Sequence, residues 1–562
     1  MNLTVLTGSE AVRLMGSEAF RSKWTALYER CPWATACQHP DFVLPWYQLY
    51  QGSFLPIVVL EESDDGALQG LLTLARRSGA TTLTGAGERQ AEYQAWLGAP
   101  EAGDDFIRKA IPTVRRAFPG ADICLRYLPA NIPLGWMSER SDYGRYCTLR
   151  SHRRPVMNID KAAMAVQRTK KNHRQNFNRL QRMGEVKFEK VCGHERFARV
   201  FDDICTQYDF RQGALHHQLP FAADALKKRF YLELHKRGLL HTTILTVGGD
   251  IAASHVGLLS SGRALHLGIN THAPAYGAHS PGNLLLAMLG VHLAEEDVPV
   301  FDLTPGGDEY KEHFATEHDL AFELTIHGNV TQRLKSGFLA GGIQLAKTGL
   351  RTAGIRSSNV LAAIDRVRSF GNSGERDFAG RLHRASQEYR VVYRFRPKIA
   401  SPGDPPVSKN CLADVMKYDP GASPASYWQF LRLVMQRMTR SHQLYSLVRD
   451  GKLLVFCWLA VGSAAVFPPE LQMLAAQSSA PMLLFDLYVH PELATAECVQ
   501  GFIKRVLYDL QSQGCEGQVF CDWSMSTELR DLFESSGFTD ALWQPPQSSG
   551  SFQRARLWES GS

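Results

Sequence analysis

Three side chains in the middle of the chain have the chemistry needed to move protons near neutral pH: Tyr310, Asp302 and His255. A phenol can protonate a departing thiolate, and a carboxylate or an imidazole can accept a proton from an amine or a hydroxyl group. Asp302 alternates with apolar Phe301 and Leu303, which predicts that its side chain lies on the opposite face of a strand. A satisfied core aromatic and a buried structural histidine stay open as alternatives for Tyr310 and His255.

Two charged neighbours of Tyr310 extend this set. Lys311 could bind a phosphate or an anionic substrate, and a solvated lysine is the alternative. Glu309 is a further candidate for the base and for a substrate contact. The pair His216-His217 has no carboxylate or cysteine at ligand spacing, so the sequence predicts no metal site.

An anion site is predicted just upstream, where a strand (264–270) leads through a loop into an apolar helix (283–294). The loop closes with Ser280-Pro281-Gly282. Free amides and the helix dipole favour an anion at such a helix start, and Pro281 suits the first turn. A proline-capped helix start without a ligand is the alternative interpretation.

Two segments resemble the coenzyme-binding half of GNAT-type acyltransferases: AYGAHSPGNLLL and FDLTPGGDEYKEHF. The resemblance is narrower to the Fem-like branch labelled CelD- or BcsL-type acetyltransferases, associated with cellulose and exopolysaccharide synthesis. The N-terminal stretch ATACQHPDFVLPWYQLY is similar to the entry segment of that branch. Together these segments span roughly residues 20–330.

The resemblance implies acetyl-CoA as co-substrate and no metal. It implies that Tyr310 protonates the leaving thiolate, that strand residues pair with the pantetheine arm, and that loop residues hold the pyrophosphate. The strand residues are Leu267, Gly268, Ile269 and Asn270. The loop residues are His279, Ser280, Pro281, Gly282 and Asn283. The implied reaction is N- or O-acylation of a sugar-linked or cell-envelope precursor.

The pattern of helices and strands predicts a mixed α/β fold with mostly antiparallel central sheets, built from tandem GNAT-like domains and a further C-terminal one. Residues 1–150 read as a degenerate GNAT-like domain, because no Ser-Pro-Gly loop occurs there. Residues 155–330 read as the acyltransferase domain. Within it, Gly248-Gly249-Asp250 predicts a tight turn between two strands.

The remainder divides into a basic helical linker (331–380) and a third GNAT-like domain (385–545). In the third domain the loop before the helix is Glu492-Leu-Ala-Thr-Ala496, without a glycine that would let the backbone close on a phosphate. Coenzyme binding there is therefore in doubt.

Composition sets broad limits. The 562 residues exceed what one core holds, and 44% hydrophobic and 21% charged residues are ordinary for globular protein. The N-terminus lacks the features of a signal peptide. Eleven cysteines without a CxxC pair favour reduced thiols, so we expect a cytoplasmic protein without a membrane-spanning segment.

The helix predicted over 163–183 is strongly cationic between Arg168 and Arg182 and carries no acid there. A solvated face over a short core stripe is one interpretation, and an anion-binding surface is the other. Peripheral contact with a membrane through basic helices stays open, whereas nucleic acid is not the expected partner. Two rival functions also stay open: an aminoacyl-tRNA-dependent Fem-like ligase and a non-catalytic scaffold in a glycan-synthesis complex.

Overall fold

The structure is a computed structural model, and it describes residues 2–138, 143–162, 164, 170–260, 262–329, 331, 390–395, 406–423, 425–462, 472, 475–476, 481–513, 519–524 and 539–543. The chain divides into two compact units. The first comprises 1–212, 218–273 and 279–359, and the second comprises 213–217, 274–278 and 360–562. The predicted basic linker at 331–380 lies outside the described residues apart from residue 331.

The strands of the first unit belong to one sheet. They are β1 (Asn2–Thr7), β2 (Phe54–Glu62), β3 (Leu68–Arg77), β4 (Leu83–Gly85), β5 (Leu97–Gly98), β6 (Ile123–Leu128), β7 (Cys147–Asn158), β8 (Val186–Lys190), β9 (Leu240–Val247), β10 (Asp250–Ser260), β11 (Ala264–His272), β12 (Val300–Asp302) and β13 (Glu317–Ile326). Their order is β1-β2-β3-β4-β6-β13-β7-β12-β11-β10-β9-β8, with β5 beside β3.

Helices cover this sheet. They are α1 (Gly8–Gly16), α2 (Glu18–Arg30), α3 (Pro40–Tyr50), α4 (Asp105–Ala117), α5 (Lys171–Gln181), α6 (His194–His216), α7 (Ala225–Lys236), α8 (Pro281–Glu295) and α9 (Glu309–Phe314). Of the helix predicted over 163–183, residues 163 and 165–169 lie outside the described residues.

The two halves of the sheet repeat one order of elements. The first half ends with β7 and the second half ends with β13. Each half has a strand followed by two or more helices, then antiparallel strands, a further helix, a strand parallel to the one before that helix, and a last strand. β4 is parallel to β6, and β11 is parallel to β12. A parallel pair needs a crossover connection, and α4 and α8 supply it.

The halves exchange their last strands. β6 of the first half pairs with β13 of the second, and β12 of the second half pairs with β7 of the first. β7 and β13 also pair with each other along their length, from Cys147↔Ile326 to Val156↔Glu317. The predicted boundary between 1–150 and 155–330 therefore falls inside β7, and the two predicted domains share one continuous sheet.

Helix α8 is buried along most of its length, which explains why its sequence is apolar on nearly every face. Leu285, Leu289 and Leu293 are fully buried, and Leu289 and Leu293 belong to a cluster that includes Leu265 and Phe301 of the neighbouring strands. Gly290 lets this helix pack closely on two methionines, because a Cβ would lie 2.6 Å from Met157 Cε and 2.9 Å from Met164 Sδ unless those side chains moved. The helix begins two residues before its predicted start, because Pro281 is compatible with a first turn.

Strand β12, which carries Asp302, is only three residues long. Leu303 N still donates to Pro155 O of β7, and the extended backbone then breaks at Thr304, which adopts a left-handed conformation with φ of 60°. The Thr304 amide donates to Asp302 Oδ1 at 2.8 Å. The chain therefore turns away from the sheet immediately after Asp302.

The second unit has a sheet of its own, which also contains a parallel strand pair connected by a helix. Its strands are β14 (Arg390–Phe395), β15 (Ser408–Lys409), β16 (Gln443–Arg449), β17 (Lys452–Val461), β18 (Met482–Val489), β19 (Val519–Ser524) and β20 (Thr539–Trp543), in the order β15-β16-β17-β18-β19-β14-β20. Its helices are α10 (Leu412–Val415), α11 (Tyr427–Thr439) and α12 (Ala496–Ser512). β18 and β19 are parallel across α12.

The predicted mixed α/β class with mostly antiparallel sheets is thus confirmed, together with the repeated order of elements. The part of the chain that the structure describes contains no helix both long enough and apolar enough to cross a membrane.

Candidate active site

The centre of the candidate site is a gap between β11 and β12. The two strands pair only at Leu265↔Phe301 and His266↔Asp302. Beyond this point β11 continues to His272, whereas β12 has ended, so one edge of β11 no longer pairs with β12. An extended ligand can add to such an edge through main-chain hydrogen bonds.

A bulge lies at the start of this edge. Between the pairs Ile269↔Val256 and His266↔Leu258, β11 advances three residues while β10 advances two. The extra residue falls at Leu267-Gly268, and Gly268 is the exposed position of the strand. A bulge leaves a residue out of the ladder and re-aims its backbone groups, as often happens beside active sites.

The start of α8 lies close to the end of β11. Ser280 is the N-cap in a left-handed conformation, with φ of 48°, and the Leu284 amide donates to Ser280 O. A Cβ on Gly282 would meet His272 Nδ1 at 3.7 Å, which is ordinary van der Waals contact. Arg211 Nη1 lies 3.1 Å from the same nitrogen. A guanidinium therefore stands beside the turn that contains Ser280, Pro281 and Gly282.

A cavity of about 340 Å³ opens onto the free edge of β11. Residues of both halves of the first unit line it. Those of the second half include His266, Gly268, Asn270, Tyr310 and Lys311, and those of the first half include Arg89, Gln90, Glu92, Tyr93 and Arg126. The strand exchange brings these two sets to one place.

Tyr310 reaches this cavity from α9 and hydrogen-bonds to the Asn270 side chain. Burial raises the pKa of the phenol to about 12, although the hydrogen bond to Asn270 acts in the opposite direction. Tyr310 therefore keeps its proton at neutral pH and can donate it. The structure brings together Tyr310, Asn270 and the bulge.

Asp302 is buried next to Tyr93 and His266, which line the cavity, and it accepts several hydrogen bonds. Its Oδ2 receives them from the Tyr93 hydroxyl at 2.6 Å and Arg154 Nη1 at 3.3 Å, and it lies 3.0 Å from His266 Nδ1. Burial alone would raise the pKa of this carboxyl, but the contacts with His266, the Arg154 charge and the Tyr93 hydroxyl outweigh burial and lower it to about 2. Asp302 is therefore an ionised anchor with its oxygens occupied.

His266 continues this network away from the cavity. Its Nε2 lies 2.7 Å from Ser260 Oγ, which accepts a hydrogen bond from the Ala36 amide at 2.7 Å. The line Asp302–His266–Ser260 therefore joins three elements and fixes the imidazole that lines the cavity.

Lys311 is buried rather than solvated. Its Nζ donates to Thr304 O, Thr304 Oγ1 and Pro305 O, each at 3.3 Å, and lies 3.7 Å from Asp308 Oδ2. Burial lowers the pKa of this ammonium. Lys311 thus stabilises the turn at Thr304 and Pro305, which precedes the helix that carries Tyr310. Lys311 also lines the cavity.

Two predicted site residues lie elsewhere. Glu309 is exposed at the start of α9. His255 is completely buried against Phe301, with ring centroids 5.4 Å apart, on the face of β10 opposite Val256, which lines the cavity. Burial lowers the pKa of His255 to about 3. The structure does not bring either side chain to Tyr310.

Glu92 is a carboxylate that inspection of the sequence missed. It lines the cavity, and its side chain is 28% exposed beside Arg126, with 3.5 Å between Arg126 Nη2 and Glu92 Oε1. Burial raises the pKa of Glu92, against the effect of Arg126 and Lys311. A carboxylate with a raised pKa in a cleft is suited to accept a proton.

Comparison with known proteins gives a family for this region. Residues 167–312 match the family model described as an acetyltransferase (GNAT) domain. The chain therefore carries a GNAT-type acyltransferase domain. The matched residues of this GNAT domain include β11, the start of α8, Asp302 and Tyr310. No curated protein matches this sequence significantly.

Solved structures resemble the chain at low identity. The C-terminal domain of a putative lysylphosphatidylglycerol synthetase from Agrobacterium fabrum is 12% identical, with a TM-score of 0.37, over 57% of this chain and 96% of that chain. FemX is 8% identical, with a TM-score of 0.39, over 54% and 95%. A tandem GNAT protein from the clavulanic acid biosynthesis pathway is 11% identical, with a TM-score of 0.34, over 58% and 99%. These scores are too low to carry conclusions about activity.

Several side chains at or next to the cavity had no separate signal in the sequence and lie outside the matched residues 167–312. Glu92, Tyr93 and Arg154 come from the first half and from the exchanged strand β7. His266 lies within the strand predicted over 264–270, but that pattern did not mark its side chain as part of the site. The parallel register His266↔Asp302 then places the imidazole beside the carboxylate.

Proposed function

We propose that this chain is an acetyl-CoA-dependent N- or O-acetyltransferase that acts on a sugar-linked or cell-envelope precursor, as in the CelD- or BcsL-type branch. The observation that carries the proposal is the free, bulged edge of β11, which opens onto a polar cavity beside the start of α8. Tyr310 lies at the same cavity wall. The match of residues 167–312 to the GNAT domain supports the donor class.

In this proposal the donor lies along β11. The pantetheine arm pairs with Leu267–Asn270, where β12 no longer occupies the strand edge. The pyrophosphate binds in the loop 279–283, where the amides of His279, Ser280, Gly282 and Asn283 can donate and the helix dipole favours negative charge. Arg211 lies beside His272, which is next to Gly282 in this loop, so its guanidinium can neutralise part of the pyrophosphate charge.

The thioester carbonyl then lies near the bulge at Leu267-Gly268. Main-chain amides there stabilise the oxyanion of the tetrahedral intermediate. When the C–S bond breaks, the Tyr310 hydroxyl transfers its proton to the coenzyme sulfur. A phenol that stays protonated at neutral pH is the right donor for this step.

The acceptor enters from the first half of the unit. Arg89, Gln90 and Arg126 are planar polar groups that can bind the hydroxyl or phosphate groups of a sugar derivative. Glu92 accepts the proton that the attacking amine or hydroxyl loses. We assign the base to Glu92 rather than to Asp302, because the oxygens of Asp302 already accept hydrogen bonds.

The test is calorimetric titration of the full-length protein with acetyl-CoA. Gly282→Trp places an indole at the start of α8 and is expected to abolish binding. Gly282→Ala is the matched control, because its Cβ finds only His272 Nδ1 at 3.7 Å and is expected to fold and bind normally. Equal affinity in the Trp variant would remove the basis for the donor site.

One observation favours a second candidate, an aminoacyl-tRNA-dependent ligase. Lys170, Lys171, Arg174, Arg179 and Arg182 are exposed, and residues 170–182 contain no acid. Such a surface binds polyanions with an affinity that falls steeply with salt. Titration with tRNA at two salt concentrations separates the candidates: steep tRNA binding without acetyl-CoA binding supports the ligase.

A further inference from the structure

A second polar cluster lies on the far side of the GNAT domain, where α8 ends. His292 and Glu296 are one turn apart at this end, and His241 projects from β9. Glu296 Oε2 lies 3.0 Å from His241 Nε2, and Glu296 Oε1 lies 3.2 Å from His292 Nε2. One potential ligand atom from each of the three residues lies within 4.8 Å of the others.

These three side chains have the chemistry of a metal site. Two imidazoles and a carboxylate suit divalent transition metals, and Zn²⁺ binds such donors at about 2.0–2.2 Å. His241 is buried beside Glu296, so the surrounding structure holds its imidazole in place. Glu295 Oε2 lies 3.5 Å from His292 Nδ1, where a second carboxylate can orient a coordinating imidazole.

An open path leads to the cluster. His292 and Glu295 also line a groove of about 510 Å³ between α5 and α8, whose other walls include Phe188, Met288 and Val291. An ion can enter here, and water can fill a fourth coordination position from the same side. The side chains of His292 and Glu296 are each 24% exposed.

A cation already occupies part of the cluster. Lys190 of β8 forms an ion pair with Glu296 and keeps a side-chain exposure of 35%. Because its ammonium is on a flexible stem near solvent, it can leave the carboxylate when an ion arrives. Lys190 and a metal therefore compete for Glu296.

We propose that His241, His292 and Glu296 form a binding site for one divalent transition-metal ion, of which Zn²⁺ is the best match. The ion ties the C-terminal turn of α8 to β9 and stabilises the helix whose other end begins at Ser280. This site is independent of the proposed acetyl transfer, and its tests need no enzymatic activity.

The experiment uses the untagged full-length protein, treated with chelator and titrated with Zn²⁺ by calorimetry. The expected stoichiometry is one ion per chain. His292→Gln and Glu296→Gln each remove one ligand and are expected to weaken binding at least about tenfold. Both positions are partly exposed, so these variants are expected to fold. His318→Gln, which removes a histidine paired with Glu312 elsewhere on the sheet, is the matched control and keeps the parent affinity.

Lys190→Gln is expected to change the Zn²⁺ affinity in the opposite direction. Removing the competing ammonium is expected to tighten Zn²⁺ binding in this variant, whereas an ion-pair network without metal affinity gains nothing. Co²⁺ substitution adds a spectroscopic check: visible d–d bands without an intense sulfur-to-metal band indicate nitrogen and oxygen ligands. Unchanged Zn²⁺ affinity in His292→Gln and Glu296→Gln, or a cysteine-type Co²⁺ spectrum, overturns the proposal.

Discussion

The Tyr93 hydroxyl donates a hydrogen bond to Asp302 Oδ2 at 2.6 Å, although the two residues are 209 positions apart in the chain. Tyr93 comes from the first half of the sheet, and Asp302 ends the strand that borders the donor edge. Both side chains are fully buried. This contact joins the acceptor side of the cavity to the donor side. A change at the carboxylate should therefore affect both the stability of the unit and the geometry of the site.

Asp302→Asn should destabilise the first unit by about 3–5 kcal/mol, because Arg154 loses a buried partner and two other donors face a weaker acceptor. Urea unfolding followed by tryptophan fluorescence measures the loss. Asp308→Asn removes a carboxylate whose side chain is 60% exposed and should change stability by less than about 0.5 kcal/mol. Equal stability of the two variants would contradict the anchoring role.

The same carboxylate predicts an acid dependence. The pKa of Asp302 is lowered from 3.8 to about 2 in the folded protein, so its contribution is complete above pH 4 and is lost as the pH falls towards 2. The shift corresponds to about 2 kcal/mol. Unfolding free energies measured between pH 5 and pH 2 should therefore fall less steeply in Asp302→Asn than in the parent protein.

Tyr310→Phe should lower kcat by about 10²–10⁴-fold and leave acetyl-CoA affinity nearly unchanged, because the hydroxyl acts on the leaving sulfur. Single-turnover kinetics with acetyl-CoA and calorimetry provide the two numbers. Tyr208→Phe removes a hydroxyl from another wall of the same cavity and serves as the matched control. A loss of affinity equal to the loss of rate would indicate a binding role instead.

Glu92→Gln should abolish the acid limb of the kcat/KM profile. Burial raises the pKa of Glu92 above its ordinary value of 4.5, so the parent enzyme should lose activity as this carboxylate is protonated at low pH. The glutamine variant should show a low rate that does not depend on pH over that range. An acid limb that persists unchanged in Glu92→Gln assigns the base to another group.

Lys311→Met should leave the carbonyl groups of Thr304 and Pro305 without their buried donor and cost about 1–3 kcal/mol. Because this turn precedes the helix that carries Tyr310, kcat should fall as well. Thermal unfolding and steady-state kinetics are the measurements. Glu309→Gln, an exposed change in the same helix, should alter neither.

Local signals in the sequence predicted the elements around the donor edge. Alternation placed Asp302 on the polar face of its strand, and Ser280-Pro281-Gly282 marked the start of α8. Such features depend on residues close together in the chain. The contribution of the first half has no local signal, because Glu92 and Tyr93 meet Tyr310 and Asp302 only through strand pairing.

The predicted roles of two residues also depended on contacts that the local sequence does not reveal. His255 lies in a strand next to the cavity, but the alternation of β10 places its ring against Phe301, on the face opposite Val256, which lines the cavity. Lys311 was predicted as a phosphate or substrate contact, with a solvated lysine as the alternative, and the turn at Thr304 instead accepts hydrogen bonds from its ammonium. Which face of an element is covered depends on neighbours that a single sequence does not identify.

The reciprocal pairing of β6 with β13 and of β12 with β7 has a consequence for biosynthesis. When the first 160 residues have left the ribosome, β6 and β7 still lack the partners that lie near the end of the first unit. Their exposed edges must wait for roughly another 165 residues of translation. A nascent chain halted before Ile326 should therefore be a preferred client of chaperones.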